Sequence, residues 1–244
     1  MAYHSAKTAA SARCTPGRRL AALLLLLSYV WLAPNLSQAQ SSTAPQQPTA
    51  PRQITPPPLT LFVLGDSLTA GYDLPVADSF PAQLQRALAR AGHEVRVLNG
   101  SVSGDTSMAA LARLSWVLPN DLDAVIVELG GNDMLRGVPP AETRKAMEGI
   151  VAALTARGLP VLLAGMLAAP NMGPAYGAAF NAIFPMLAQK YALIFYPFFM
   201  DGVYDQPALK LADELHPNAE GIRVIVERIL PQVELLLARA RASS

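Results

Sequence analysis

The chain has 244 residues, of which 52% are hydrophobic and 15% charged, which suits one sizeable hydrophobic core and leaves little room for a second domain. Its 19 basic and 18 acidic residues give a net charge of +1, but four of the basic residues lie in residues 1–39, where there is no acid. The rest of the chain carries 15 basic and 18 acidic residues, a net charge of −3. This balance argues against a nucleic acid as partner.

Residues 1–39 have the pattern of an export signal. A basic segment ends at Arg18-Arg19, an apolar run extends from Leu20 to Ala33, and Ser37-Gln38-Ala39 fits the small-residue site that a signal peptidase cuts. We expect cleavage after Ala39 and a periplasmic or secreted protein. The alternative is that the segment is retained as a membrane anchor, although its apolar run of about 14 residues is shorter than the ~20 that span a bilayer.

The predicted cleavage site determines which residues remain in the mature protein. The only cysteine, Cys14, lies in the predicted signal, so the mature chain would have no disulfide, Cys nucleophile or Cys-based metal site. Residues 40–58 are rich in Ser, Thr, Gln and Pro, a composition that predicts an extended linker. We therefore expect a single folded domain at residues 59–244.

Beyond the linker, short apolar runs alternate with amphipathic stretches. In chain order they predict strand Leu59–Leu64, helix Phe80–Ala91, strand Val95–Leu98, helix 107–118, strand Asp123–Leu129, a helix from Pro139 to Gly158, strand Val161–Ala164, helix 175–190, strand Leu193–Tyr196 and helix 219–238. This alternation predicts an α/β fold, with a five-stranded parallel sheet covered by helices on both faces. Ligands of such sheets bind at the carboxyl ends of the strands.

Three loops rich in glycine and small polar residues directly follow the first three strands. They are residues 65–68, 99–105 and 130–133, and a fourth segment, residues 213–218, precedes the last helix. Because the carboxyl ends of parallel strands meet at one edge of a sheet, we expect the first three loops to lie together there.

Only two histidines, His93 and His216, follow the predicted signal. His93 stands between a helix and a strand, on the opposite edge of the sheet, and is interpreted as a solvated turn residue. His216 is the only histidine placed to reach the reactive edge and to act as a general base. Asp213 precedes it by three residues, a spacing that lets its carboxylate orient the imidazole, although an Asp before a helix is commonly just an N-cap. Asn218 is interpreted as a helix cap.

Ser67 is the candidate nucleophile, because it follows the first strand and Gly65 permits a sharp turn there. The alternative is that Ser67 only caps the next helix. Position 69 is Thr, so the segment is not the G-x-S-x-G elbow of the α/β-hydrolases. The backbone N–H groups of Ser67 and Gly104 and the side-chain amide of Asn132 are candidate oxyanion donors. Alternatively, Gly104 and Asn132 serve only turn geometry.

Taken together, the four segments resemble the four signature blocks of the SGNH (GDSL-type) hydrolases. Gly65-Asp66-Ser67-Leu68 is similar to the first block, Gly104 to the second, Gly130-Gly131-Asn132-Asp133 to the third and Asp213-Glu214-Leu215-His216-Pro217 to the last, over about residues 59–238. The chain looks most like the bacterial periplasmic branch of esterases, acyl-CoA thioesterases and lysophospholipases.

The resemblance implies a three-layer α/β/α sandwich of flavodoxin-like type, with no metal or other cofactor. It also implies a catalytic triad of Ser67, His216 and Asp213, and an oxyanion hole formed by Ser67, Gly104 and Asn132. The expected substrate is a small acyl ester or thioester, with lipid esters among the candidates.

The acyl group is expected to be apolar, because apolar segments follow strands four and five on the reactive edge. We predict that Met166, Pro170, Met172 and Phe199 line its groove; the alternative is ordinary loop packing. The alternative enzyme is a carbohydrate O-acetyl esterase of the same fold, and the non-enzymatic alternative is a tethered binding domain with an inactive site. A metal-dependent hydrolase is disfavoured, since the two histidines lie on opposite edges.

Overall fold

The structure, a computed structural model, describes residues 57–243 of the chain. The predicted export signal (1–39) and all but the last two residues of the predicted linker (40–58) lie outside the described residues. None of the helices in the described part combines the length and the apolar character that crossing a membrane requires.

Five parallel strands form one sheet at the centre of the described region. They are β1 Leu59–Gly65, β2 Val95–Asn99, β3 Ala124–Glu128, β4 Val161–Ala164 and β5 Ile194–Tyr196. Their order across the sheet is β2-β1-β3-β4-β5, which confirms the predicted flavodoxin-like sheet. Every residue of β1, β3 and β4 is buried, because helices cover both faces of a parallel sheet and select continuous apolar runs.

Helices pack on both sides of this sheet and complete three layers. They are α1 Ser67–Ala70, α2 Phe80–Arg90, α3 Ser107–Val117, α4 Gly131–Leu135, α5 Pro140–Ala156, α6 Pro174–Asn181, α7 Ile183–Lys190 and α8 Ala219–Ser243, with short 3₁₀ turns at Val76–Asp78, Pro170–Met172 and Pro207–Leu209. Helix α2 packs on α8, and α3 packs on α5.

Two of the predicted helices differ in the structure. The stretch predicted as one helix over 175–190 is two, α6 and α7, separated by Ala182. Pro185 has no N–H to donate to the carbonyl of Asn181, so the helical ladder is broken at this point. Helix α8 continues past the predicted end at residue 238, to Ser243. Its last turns bury Ala240, which extends the apolar stripe by one position.

The order of the strands places two loops at the centre of the reactive edge. The chain goes from β1 to β2 on one side and then returns to β3 on the other, so the loops after β1 and β3 border the crevice where this fold binds ligands. Beyond β2, the N–H of Gly100 donates to Val63 (2.8 Å) and that of Val102 to Gly65 (3.1 Å). These bonds direct the loop after β2, which contains Gly104, towards the end of β1.

Candidate active site

Ser67, His216 and Asp213 form a hydrogen-bonded chain at the carboxyl ends of the strands. Ser67 Oγ lies 2.8 Å from His216 Nε2, and His216 Nδ1 lies 2.6 Å from Asp213 Oδ2. The other carboxylate oxygen of Asp213 accepts the backbone N–H groups of Leu215 (2.9 Å) and His216 (3.0 Å). Short local hydrogen bonds therefore hold Asp213 and His216 in position relative to each other.

The charge of Asp213 determines which nitrogen of the imidazole carries the proton. Partial burial raises the pKa of Asp213, but the hydrogen bonds from the His216 ring and from the two backbone N–H groups together lower that pKa to about 2. An ionised carboxylate can only accept hydrogen bonds, so His216 must donate from Nδ1. Nε2 is then the unprotonated nitrogen and can accept the proton of the Ser67 hydroxyl.

The turn after β1 is built so that Ser67 begins a helix. Asp66 is the N-cap of α1, and its Oδ1 accepts the N–H of Leu68 at 3.0 Å. Ser67 is therefore the first residue of α1, and the alternative that it caps this helix is wrong. Gly65 is needed because a Cβ there would lie 2.1 Å from Thr69 Oγ1 and 2.8 Å from the carbonyl oxygen of Glu128.

The three candidate oxyanion donors line one cavity beside Ser67 Oγ. The N–H of Ser67 lies in the first turn of α1, where no helical carbonyl can accept it. Gly104 has φ +87°, a left-handed conformation that favours glycine, and its carbonyl accepts a bond from Arg136 at 2.7 Å. Asn132 is the second residue of α4, and its Nδ2 donates to Asp66 Oδ2 at 3.0 Å.

The cavity next to Ser67 has a volume of about 360 Å³ and lies within the range of small-molecule sites. Ser67, Tyr72 and His216 are among its lining residues. Its apolar lining consists of Leu68, Met134, Leu135, Met166, Leu167, Ala169, Phe198, Met200, Tyr204 and Leu215.

The structure corrects the predicted composition of the groove. Met166 lies in the lining, but Pro170 and Met172, which belong to a 3₁₀ helix, do not. Phe199 is fully buried and packs edge-to-face on Phe80, with ring centroids 5.2 Å apart. Its neighbours Phe198 and Met200 line the cavity instead.

His93 lies outside this site. It follows α2 at the amino-terminal end of the sheet, and its Nε2 lies 3.2 Å from Glu234 Oε1 on α8. It is therefore a partly buried, hydrogen-bonded residue and not the solvated one that its turn position predicted. Within residues 57–243, no group of three or more His, Cys, Asp or Glu side chains is arranged to hold a metal ion.

Two buried acids beneath the site were not identified from the sequence as functional. Burial raises the pKa of Asp66 to about 6, against the opposing hydrogen bonds from Leu68 and Asn132. Glu128, the last residue of β3, is fully buried, and burial together with the nearby charge of Asp66 raises its pKa well above the usual range. For Glu128, the only signal in the sequence is its place at the end of a strand whose other residues are apolar.

Comparison with known proteins agrees with the fold and with the family that the sequence resembles. Residues 63–224 match the model of the GDSL-like lipase/acylhydrolase family. The chain is similar to Esterase TesA of Pseudomonas aeruginosa, with 38% identity over 73% of this chain and 89% of that protein. It is 37% identical to Thioesterase 1/protease 1/lysophospholipase L1 of Escherichia coli K12, over 73% of this chain and 85% of that protein. Among solved structures, AlinE4, an SGNH-hydrolase family esterase, is 42% identical with a TM-score of 0.64, over 75% of this chain and 98% of that one.

Proposed function

The chain belongs to the GDSL-like lipase/acylhydrolase family and is an ester-hydrolysing serine hydrolase, and we propose that Ser67 is its nucleophile, His216 its general base and Asp213 the residue that orients the base. The observation that carries the proposal is the continuous chain of hydrogen bonds from Ser67 Oγ to Asp213. Ser67, at one end of this chain, lines an apolar cavity that is large enough for an acyl group.

In the acylation step, Ser67 Oγ attacks the carbonyl carbon while its proton passes to His216 Nε2. The new imidazolium is stabilised by the carboxylate of Asp213. As the tetrahedral intermediate collapses, the bond from carbon to the leaving oxygen breaks, and Nε2 returns the proton to the departing alcohol. For a thioester, the leaving atom is sulfur and the same proton path applies.

In the deacylation step, a water molecule takes the place of the alcohol. His216 Nε2 accepts a proton from the water as its oxygen bonds to the acyl carbon. The bond to Ser67 Oγ then breaks, and the serine recovers its proton from Nε2. The acid is released, and the enzyme returns to its starting state.

The negative charge that develops on the carbonyl oxygen requires donors that are fixed in advance. We assign this role to the N–H groups of Ser67 and Gly104 and to the amide of Asn132. All three line the cavity that holds Ser67 Oγ. A single such donor is typically worth ~3–4 kcal/mol of transition-state stabilisation.

We propose an apolar acyl group as the substrate's reacting half. The support is the cavity lining, in which Met166, Phe198 and Met200 replace the polar side chains that a sugar would need. Each methylene buried against such a lining contributes ~0.8 kcal/mol. This favours medium acyl chains over acetyl, and therefore argues against a carbohydrate O-acetyl esterase.

We also propose that the enzyme is exported to the periplasm or secreted. The support is the basic, apolar and small-residue pattern of residues 1–39. The test is expression of the full chain followed by fractionation and N-terminal sequencing. Export predicts a soluble periplasmic protein that begins at Gln40; an intact N-terminus in the membrane fraction would instead establish an anchor.

The substrate proposal is tested with p-nitrophenyl esters from acetate to dodecanoate, alongside acyl-CoA and a lysophospholipid. We expect kcat/KM to rise from acetate to the medium chains, and the activity to survive EDTA. A strict preference for acetate would overturn the apolar-acyl assignment and favour the acetyl esterase. The ratio of ester to thioester turnover at equal chain length then assigns the leaving group.

A further inference from the structure

Asp66 joins the two parts of the proposed active site. One of its oxygens, Oδ1, accepts the N–H of Leu68 in the helix that Ser67 begins, and the other, Oδ2, accepts the side-chain N–H of Asn132 at 3.0 Å. Only 1% of its surface is exposed. A single buried carboxylate therefore contacts both the nucleophile turn and the loop after β3.

Capping alone does not account for this carboxylate. Helix α1 has only four residues, and an exposed Ser or Asp caps such a turn without the cost of burying a charge. Moreover, the carboxyl group of Glu128 accepts the backbone N–H of Asp66, and the nearby charge of Asp66 raises the pKa of Glu128. A charged group kept next to a second buried acid is unfavourable for stability, which suggests that its position serves the reaction.

The bond to Asn132 fixes the orientation of its side-chain amide, with Nδ2 facing Asp66. An ionised carboxylate accepts and cannot donate, so it binds the Nδ2 end of Asn132 and never the oxygen. One of the two hydrogens on Nδ2 is used in this bond. The second is not used in this bond, and Asn132 lines the cavity that also contains Ser67.

We infer that Asp66 is a positioning residue: its carboxylate orients the amide of Asn132 as an oxyanion donor and holds that amide in register with Ser67. The inference rests on the proposed role of Asn132 in the oxyanion hole. It predicts that loss of the carboxylate reduces the rate of the chemical step through Asn132, while substrate binding in the apolar cavity is little affected.

The test is a double-mutant cycle of Asp66→Asn and Asn132→Ala, measured on p-nitrophenyl butyrate. An Asn at position 66 keeps the shape but presents an N–H that competes for the oxygen of Asn132 and turns the amide. We expect Asp66→Asn to lower kcat by ~10- to 100-fold in the wild-type background, with KM changed less than about threefold. In the Asn132→Ala background, the same change should cost less than about threefold.

Two controls separate positioning from folding. Asp121→Asn removes an exposed carboxylate that pairs with Arg96 at the other end of the sheet, and it should leave kcat unchanged. Asp66→Ser keeps a side chain that can cap α1 but is too short to reach Asn132. It should fold with a normal melting profile and show the same loss of kcat as Asp66→Asn.

The results distinguish this inference from the function on which it rests. If Asn132→Ala leaves kcat unchanged, the oxyanion assignment itself fails. If Asn132→Ala lowers kcat, and Asp66→Asn lowers kcat by the same factor with and without the amide of Asn132, only the positioning role fails. Failure of both Asp66 variants to fold would make Asp66 a structural residue and would also overturn the inference.

Discussion

The ring of Tyr72 is stacked on the imidazole of His216, with centroids 4.3 Å apart and planes inclined by 29°. Tyr72 lines the cavity, and 47% of its surface is exposed. The stack adds a face contact to the two in-plane bonds of the imidazole, to Asp213 and Ser67. The aromatic face is electron-rich, so it favours the imidazolium that forms during the reaction over the neutral ring.

We therefore predict that Tyr72→Leu lowers kcat by about two- to fivefold, the value of a partly exposed cation–π contact. Tyr72→Phe keeps the aromatic face and should retain nearly the wild-type kcat. The measurement is steady-state hydrolysis of p-nitrophenyl acetate, whose short acyl group makes little use of the cavity. Equal losses in the Leu and Phe variants would show that the hydroxyl matters and not the stack.

Asn132→Ala should lower kcat by ~10²–10³-fold with little change in KM, as expected for a donor used mainly in the transition state. Asn120→Ala is the matched control, because Asn120 is exposed in the loop before β3 at the far end of the sheet. Initial rates over a range of p-nitrophenyl butyrate concentrations separate the two parameters. An effect confined to KM would remove Asn132 from the oxyanion hole.

Glu128→Gln should change how stability depends on pH. Above a pH of about 4.3, an unfolded Glu loses its proton, but the buried Glu128 keeps it, since its pKa is raised. The unfolded chain then binds fewer protons than the native one, so this group's contribution to stability is lost as the pH rises towards its native pKa. The Gln variant has no such loss.

The measurement for Glu128 is the melting temperature of variant and wild type between pH 4.5 and 8. The difference, variant minus wild type, should become more positive as the pH rises. Glu142→Gln, at an exposed position of α5, controls for the general effect of removing one carboxyl. A difference for Glu128→Gln that stays constant or falls with pH would mean that Glu128 is ionised in the native protein.

The sheet could be predicted from the sequence because its central strands are buried on both faces. Continuous apolar runs such as β1 and β3 have no other reasonable place in a domain of this size. His216 could be identified by elimination as the candidate general base. Asn218 could be identified from its position as a helix cap, and its Oδ1 accepts the N–H groups of Glu220 (3.1 Å) and Gly221 (2.9 Å) in the first turn of α8.

The residues that line the acyl cavity could not all be predicted from the sequence. Phe198 and Phe199 are adjacent and chemically identical, and only the path of the chain after β5 determines that the first faces the cavity and the second the core. The stacking of Tyr72 on His216 joins residues far apart in sequence, so no local pattern reports it. Asp66 was visible only as part of a motif; its bond to Asn132 depends on the approach of two loops.

The central claim, that Ser67 is the nucleophile, is tested most directly by covalent labelling with diethyl p-nitrophenyl phosphate. Intact-mass and peptide mass spectrometry then count and locate the diethylphosphoryl groups. We predict one group per chain on Ser67, with loss of esterase activity in step with labelling, and no labelling of the Ser67→Ala variant, which is itself inactive. A label on another residue that abolishes activity, or full esterase activity in Ser67→Ala, would contradict the assignment.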